Sequence, residues 1–498
     1  MRKIVAVCKG GLLILTLSVS LALSGLAHAQ LTSSDVDTIV NQTAASLNVD
    51  TMVIAVSDRA GNILAVFRKQ SGSASDDQAA ISLARTAALF AHNQGNLTSR
   101  TIRFVSGEHF PPGIAFTDAG ALFGIENTNR GCNLNVTFNS GQTIPRATSS
   151  AGVTCTSSDN SGCSLGVLTI PGGVPLYKNG EMVGGVGVFG VGPALRDDPQ
   201  GGLRKLGDGY DAAEFAAFSG SIGFLPTFSA GGGIFVDGVK LPTIETQQRP
   251  DGFTSGTVNG AYAIGPTASS VGLVPFDWLV GPNAGSLLTA DEVRSIVTNS
   301  VAVADQTRAA IRLPFTERAK MVFAISDLDG TILGLFRMRD ATVFSVDVAL
   351  SKSRNVVYFS GPNVNAADKV GLPDGTAISN RTISFAAQRF FPSGLDFTGP
   401  GPFRDIFLND SLNPCSQGRQ ATNANQSGIV FFPGSTPLYK NGVLVGGFGV
   451  SGDGVEQDDF VAAGGAEGFS APAQIRSDEF KVLGVRMPFM KFPRNPTR

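Results

Sequence analysis

Two histidines, His92 and His109, are the side chains of this sequence best suited to ligand chemistry. Neutral imidazole is the commonest metal ligand in proteins, and its pKa permits proton transfer near neutral pH. His109 is followed by Phe110 and a Pro-Pro-Gly turn, so a nitrogen ligand would stand beside an apolar wall. An exposed loop histidine is the alternative for His109. His92 closes a predicted helix, where a histidine can simply complement the helix dipole.

Tyrosines and glycines form a second group of candidates. Tyr177 and Tyr439 occupy one hairpin position in two similar segments. A phenolate can bind iron, but packing beside an Asn-Gly turn explains such a tyrosine equally well. Residues 185–190 and 447–452 match Gly-x-Gly-x-x-Gly. They lie at the end of a predicted hairpin rather than between a strand and a helix, which excludes nucleotide binding. We expect these glycines to permit close packing by a helix or a partner chain.

Paired acids could suggest acid–base chemistry at Asp197-Asp198 and Asp458-Asp459. Near a predicted helix start, we interpret them as charges that complement the helix dipole. The sequence contains no His-Glu-x-x-His pair and no phosphate-binding Walker loop. We therefore predict no catalytic residue, and whether the protein is an enzyme stays open.

Residues 1–29 have the pattern of a signal peptide. Three basic residues precede the apolar stretch 12–23, and Ala27-His28-Ala29 gives the small-x-small cleavage pattern. We predict cleavage after Ala29 and a secreted or periplasmic protein. No later stretch approaches the ~20 continuous apolar residues of a membrane span.

Charge argues against nucleic acid as a partner. The chain has 38 Lys+Arg and 40 Asp+Glu; removing the three basic residues of the leader leaves 35 against 40, a net charge of −5. A nucleic-acid-binding domain normally carries a basic patch and a basic overall balance. The charge balance likewise argues against an anionic membrane surface as a partner.

Four cysteines remain after cleavage: Cys132, Cys155, Cys163 and Cys415. An exported protein can form two disulfides from them, and the sequence leaves three connectivities open. The favoured local pair is Cys155 with Cys163, which bracket a polar loop. Cys132 and Cys415 occupy similar places in the two halves of the chain, so a bridge between the halves is the other possibility considered.

An internal repeat dominates the sequence. Residues 53–68 return as 322–337, and residues 175–190 return as 437–452 with twelve of sixteen positions identical. Such self-similarity indicates a duplicated structural unit. The predicted division is a first repeat at 30–249, a Gly/Pro/Ser-rich linker at 250–286 and a second repeat at 287–498.

Both repeats predict the same elements. A helix begins behind a Thr cap with acids in its first turn. A hairpin turning at 58–61 follows, then a second helix over about 76–91, a long loop, an Asn-Gly hairpin turning at 178–180 and a short last helix. The sequence thus predicts the α+β class: an antiparallel sheet with flanking helices, a profilin-like layer duplicated in tandem.

These motifs resemble the GlcG/HbpS-type haem-binding family, also called the haem-degrading domain family. The resemblance rests on the Ser-Asp-x-x-Gly hairpin, the Ala-rich helix after it and the Pro-Leu-Tyr-Lys-Asn-Gly hairpin, each present twice. It implies a compact, self-associating α+β domain with a haem-binding role outside the cytoplasm. Repeat 1 has Glu108-His109-Phe110-Pro111 where repeat 2 has Arg389-Phe390-Phe391-Pro392, so only repeat 1 offers an imidazole there.

The leading hypothesis is an exported haem-binding or haem-handling protein. His109 is the possible iron ligand, and His92, Phe110 and Tyr177 are the further candidates for contact with haem. One alternative is an interaction or scaffold module of the same fold that binds no haem. Another is an enzyme acting on haem or on a small metabolite. The two repeats are expected to pack on each other, with self-association possible.

Overall fold

A computed structural model gives the structure of most of the chain. The described residues are 28–140, 142, 165–192, 208–227, 233–369 and 371–497. The predicted signal peptide as far as residue 27, the pair Cys155 and Cys163, and Asp197-Asp198 lie outside these ranges.

Each repeat contributes the same kinds of strand, but the outer strand of the sheet comes last in the first repeat and first in the second. The strands of the first are β1 Val53–Asp58, β2 Ile63–Lys69, β3 Gly173–Lys178, β4 Glu181–Phe189, β5 Phe235–Val236, β6 Val239–Lys240 and β7 Gly260–Ile264. Those of the second are β8 Asp277–Val280, β9 Val322–Ser326, β10 Ile332–Arg337, β11 Ser435–Lys440, β12 Val443–Ser451, β13 Lys481–Val482 and β14 Val485–Arg486.

The helices follow the same duplication. They are α1 Ser33–Ser46, α2 Asp77–Phe90, α3 Ser99–Phe104, α4 Asp208–Ser221, α5 Ala290–Ala304, α6 Ser345–Ser360, α7 Asn380–Ala386, α8 Arg404–Leu412 and α9 Val455–Gly465. The predicted first, second and last helices are thus present in both repeats.

Two five-stranded antiparallel sheets organise the molecule. Their strand orders are β3-β4-β1-β2-β7 and β11-β12-β9-β10-β8. Helices pack on these sheets, so the predicted α+β class in two tandem copies is confirmed. The outer strands β7 and β8 both come from segment 250–286, which was predicted as a linker. That segment therefore completes a sheet in each repeat.

Local sequence signals account for these elements. Thr32 caps α1 and Asp35 closes the capping box; Thr289 and Glu292 do the same for α5. Each box satisfies amide groups that the first helical turn leaves without partners. Asn179 has a φ of 53° and Gly180 a φ of 81°, the left-handed pair that a type I′ hairpin turn requires.

The glycine-rich strands β4 and β12 let a helix approach closely. A Cβ added at Gly185 or Gly187 would overlap the backbone of α2. Gly447 and Gly449 stand in the same relation to α6. The prediction that these glycines serve packing is confirmed. The absence of side chains at these positions sets how closely each helix packs on its sheet.

The two repeats are joined through a shared core. Phe90 of repeat 1 stacks on Phe344 of repeat 2 with ring centroids 3.9 Å apart, and Phe123 stacks on Phe407 at 5.1 Å. Both first-repeat rings belong to hydrophobic clusters that contain second-repeat residues. The expectation that the repeats pack on each other is confirmed.

A disulfide closes the same interface. Cys132 and Cys415 are bonded, with Cα atoms 5.3 Å apart. Beyond Cys132 the chain runs along repeat 2, where Leu134 joins its core and the Asn139 amide donates to the Leu279 carbonyl at 2.6 Å. This is the bridge between the halves that the sequence left open.

Among the described helices, none combines the length and the apolar composition that crossing a bilayer requires.

We predict that the Cys132→Ser/Cys415→Ser double variant unfolds at lower temperature and denaturant concentration. A disulfide typically contributes about 2–4 kcal/mol, more for a longer closed loop, and this one closes a separation of 283 residues. The control is Cys155→Ser/Cys163→Ser, which could open only a short loop. Equal losses of stability in the two variants would contradict a special role for the bridge between the repeats.

Candidate functional site

His109 lies in a loop after α3 and faces repeat 2. Its Nδ1 is 3.2 Å from the Thr117 carbonyl oxygen, and its Nε2 is 3.5 Å from a carboxylate oxygen of Asp396. The side chain keeps 21% of its surface exposed. A ligand reaching this imidazole would therefore approach from the surface and meet groups from both repeats.

Two corresponding loops, 108–119 and 389–400, build this surface; we call them the paired loops. Both contain a cis peptide bond near their start, between Phe110 and Pro111 and between Phe391 and Pro392. The Phe116 amide donates to Asp396 at 3.2 Å, and the Ala119 amide donates to Ser393 Oγ at 3.2 Å. The loops therefore hold each other across the boundary between the repeats.

Four large apolar side chains stand exposed at the tips of the paired loops; we call them the loop patch. They are Ile114 at 53% exposure, Phe116 at 59%, Leu395 at 50% and Phe397 at 86%. Phe116 and Phe397 meet edge to face with centroids 6.0 Å apart. Both have positive φ angles, 60° and 67°, which bulky residues rarely adopt. Such local strain is characteristic of binding segments.

Charged groups border the patch. Glu108 lies 3.7 Å from Arg389 and 3.6 Å from Arg404, measured between carboxylate oxygen and guanidinium nitrogen. The Arg389 guanidinium also stands over the Phe390 ring at 5.2 Å. A cation is thus placed next to the apolar surface, where an anionic substituent of a flat apolar ligand would be stabilised.

Phe110 is partly buried and is not among the exposed side chains of the patch. Its ring packs edge to face on Phe104 at 5.8 Å and joins the core shared by the repeats. The sequence analysis placed the apolar wall at Phe110 and did not single out Phe116 or Phe397; contact of Phe110 with haem stays a prediction. A signal was available in the doubled pattern Phe-Pro-x-Gly-x-x-Phe-Thr, at 110–117 and 391–398.

His92 and Tyr177 are buried together in repeat 1, at the contact with repeat 2. His92 has no exposed surface, and its Nδ1 accepts a hydrogen bond from the Gln94 amide at 3.2 Å. Burial first, and then the positive charge of Arg312, lowers its pKa well below the ordinary value. The Tyr177 hydroxyl donates to the carbonyls of His92 and Gly95 at 3.1 and 3.0 Å. These contacts are structural, and contact of either side chain with haem stays a prediction.

The acids Asp458 and Asp459 were predicted to be charges that complement the helix dipole, and Asp458 does lie in the first turn of α9. Both are buried inside repeat 2, where Asp458 binds Lys352 Nζ at 3.2 Å and Asp459 pairs with Arg381. Burial raises the pKa of Asp458 to about 7. Lys352 also donates to the Val450 carbonyl at 2.8 Å. All of these contacts hold α6, α7 and α9 together.

Repeat 1 has an apolar pair where repeat 2 has this ion pair. A Cβ at Gly172 would contact Leu83 and Ala213, and a Cβ at Gly434 would meet Lys352 and Asp458 instead. The fold therefore accepts either pair at one position, which argues that Lys352 and Asp458 serve packing.

A bare metal site is not visible. Within the described ranges, no group of three or more His, Cys, Asp or Glu side chains could hold a metal ion. A metal ion that is already coordinated by a macrocycle needs fewer ligands from the protein than a bare ion does. His109 could provide one such ligand.

Comparisons with known proteins give a consistent result. A family model described as "Haem degrading protein HbpS-like" matches residues 31–198 and 288–467. A 15.0 kDa protein of Citrobacter freundii, from the dhaT-dhaS intergenic region and described as uncharacterized, is 29% identical over 178 residues, 36% of this chain and 96% of that protein.

Solved structures of similar proteins each cover somewhat more than a third of the chain. ORFY of Klebsiella pneumoniae is 20% identical over 38% of this chain and 97% of its own, with a TM-score of 0.24. The PduOC:heme complex is 22% identical over 36% and 94%, with a TM-score of 0.24. A double mutant of Streptomyces reticuli HbpS is 19% identical over 37% and 88%, with a TM-score of 0.23.

The buried ion pair generates a prediction about stability. Lys352→Leu and Asp458→Ala should each destabilise the protein by about 3–5 kcal/mol, because each leaves a buried charge without its partner. The double variant recreates the pair of repeat 1 and should unfold close to the wild type. Denaturant unfolding of the three variants measures this. A double variant as unstable as the sum of the two single variants would show that the pair is required.

Proposed function

Because the chain belongs to the HbpS-like family of haem-degrading proteins, we propose that it binds haem at the loop patch. One observation carries the proposal: two loops from different repeats present four exposed apolar side chains beside His109. Porphyrin is a broad apolar plate whose iron needs an axial ligand. The paired loops offer an apolar surface for the porphyrin and an imidazole for the iron on the same side of the protein.

His109 is the proposed iron ligand. If Nδ1 donates to the Thr117 carbonyl at 3.2 Å, the lone pair of neutral imidazole is on Nε2, on the side of Asp396. A hydrogen bond from the second ring nitrogen commonly orients a ligating histidine. The Asp396 carboxylate lies 3.5 Å from Nε2, so it would have to move away for His109 to hold haem.

The remaining groups of the patch have complementary roles. Phe116 and Phe397 would cover the macrocycle, and Arg389 would pair with a propionate. Bound haem would supply an iron centre close to solvent. An open surface of this kind suits uptake and release of haem better than permanent retention, and this is the sense in which we propose haem handling.

Export is part of the proposal. The leader at 1–29 has the pattern of a signal peptide. The Cys132–Cys415 bond supports it, because disulfides persist in oxidising compartments and are rare in the cytosol. We propose a secreted or periplasmic protein.

A module that binds a protein partner is the second candidate. It is favoured by the 86% exposure of Phe397, since contiguous apolar patches on a surface also mark protein contacts. In that case the patch would bury against a second molecule and hemin would find no site.

Hemin titration of the mature chain tests the first candidate. We expect a saturable Soret shift in the wild type and its loss or displacement in His109→Phe, which introduces the residue that repeat 2 has at position 390. The control is His92→Asn, which keeps an acceptor for the Gln94 amide and should leave the spectrum unchanged. If the Soret shift were lost in His92→Asn but kept in His109→Phe, the iron ligand would be His92 rather than His109.

The wild-type titration also separates the two candidates. Absence of saturable hemin binding would end the haem proposal. Sedimentation of the wild type and of a patch variant would then test self-association through the same surface.

A second prediction concerns the apolar face. Phe116→Ser/Phe397→Ser should weaken hemin binding by at least about tenfold, because each ring that haem covers contributes roughly 1.5 kcal/mol or more. Val443→Ser is the control, since Val443 is 58% exposed in the second Asn-Gly hairpin. Equal affinities of the two variants, measured by fluorescence quenching, would remove the loop patch from the site.

A further inference from the structure

Repeat 2 contains a cleft that the haem proposal does not use. It has a volume of about 180 Å³ and lies between the β9–β10 turn at Leu328–Gly330 and the residues after α6, Gly361–Asn363. This is below the roughly 300–1,000 Å³ of pockets for drug-sized ligands. The cleft therefore limits an occupant to a small molecule.

The corresponding face of repeat 1 is already covered by protein. Gln94 follows α2 as Asn363 follows α6. The Gln94 carbonyl accepts from the Leu313 amide at 3.0 Å, and its side-chain oxygen accepts from Arg312 at 3.1 Å. Segment 311–313 belongs to repeat 2 but covers the face of repeat 1. It therefore cannot cover the corresponding face of repeat 2, beside Asn363. The duplication thus leaves one of the two faces open to solvent.

Carboxamides dominate the lining of the open face. Five of them border the cleft: Asn363, Gln417, Gln420, Asn423 and Asn425. Several are held in place by each other or by the core. Gln417 donates to the Gln420 side-chain oxygen at 3.1 Å and accepts from Asn355 at 2.9 Å. Within the described part of the chain, the side-chain nitrogen Nε2 of Gln420 and the Asn363 side chain have no hydrogen-bond partner, whereas Gln420 Oε1 accepts from Gln417 and Gln426.

The other lining groups balance in charge. Asp329 and Arg354 carry opposite charges, and Arg354 is occupied by the carbonyls of Gly330 and Leu134 at 2.9 and 2.8 Å. Leu328, Val357 and Leu444 add apolar surface to the same cleft. A charged ligand would find no net opposite charge here, whereas a neutral ligand with both polar groups and C–H faces would be matched.

We propose that this cleft binds a small neutral polyhydroxy compound of about monosaccharide size. Each carboxamide offers one acceptor and a donor group, and each hydroxyl is likewise donor and acceptor. Asn363 and Gln420 form the direct hydrogen bonds, and the leucines and Val357 cover the C–H face of the ring. The cleft shares no residue with the loop patch, so this site is independent of haem.

Calorimetric titration of the full mature chain tests the proposal, with D-glucose, D-galactose and myo-inositol as probes. At least one should bind with a Kd of about 1 mM or below. Asn363→Ala and Gln420→Ala should each weaken that probe by at least about threefold, the loss of a typical hydrogen bond. Asn413→Ala, which alters an exposed amide outside the cleft, should leave it unchanged.

Three results would overturn the proposal. One is the absence of heat from all three probes at about 20 mM, well above the expected Kd. Another is binding that Asn363→Ala and Gln420→Ala leave intact, which would place it elsewhere. The third is preferential binding of citrate or spermidine, tested in parallel, which would show that the cleft selects charge.

Discussion

A buried guanidinium, that of Arg312, sets how the two repeats meet. It has no exposed surface, pairs with Asp453 and Asp340 of its own repeat and donates to Gln94 of the other. Asp340 in turn pairs with Arg59 of repeat 1. A buried charge is tolerated only when its partners are in place, so this network permits few relative orientations of the repeats. The paired loops lie close together only in an arrangement of that kind.

Local patterns were sufficient to predict most of the elements. The Thr caps, the Asn-Gly turns and the helical spacing each act within a few residues. The same signals occur in both repeats, so each assignment was supported twice. The glycine strands were also predictable, because a glycine at every second position leaves one face of a strand without side chains. In contrast, strands β7 and β8 come from a Gly/Pro/Ser-rich segment whose composition is that of a linker. They form by pairing with β2 and β10, which are distant in the chain, so no local pattern predicts them.

The site was harder to predict for the same reason. Asp396 and Phe397 are about 280 residues from His109 and Phe116 in the chain, and their proximity depends on the whole interface. Asp458 and Asp459 show a related difficulty. A carboxylate in the first turn of a helix looks the same in sequence whether it faces water or a buried lysine. The environment of the helix, rather than its own sequence, decides the outcome.

Covalent fusion of the repeats has a consequence for how the loop patch depends on protein concentration. A site built from two separate chains comes apart when their concentration falls below the dissociation constant of the dimer. Here both halves of the loop patch belong to one polypeptide and are also linked by the Cys132–Cys415 bond. Assembly of the patch is therefore unimolecular and does not depend on the concentration of the protein.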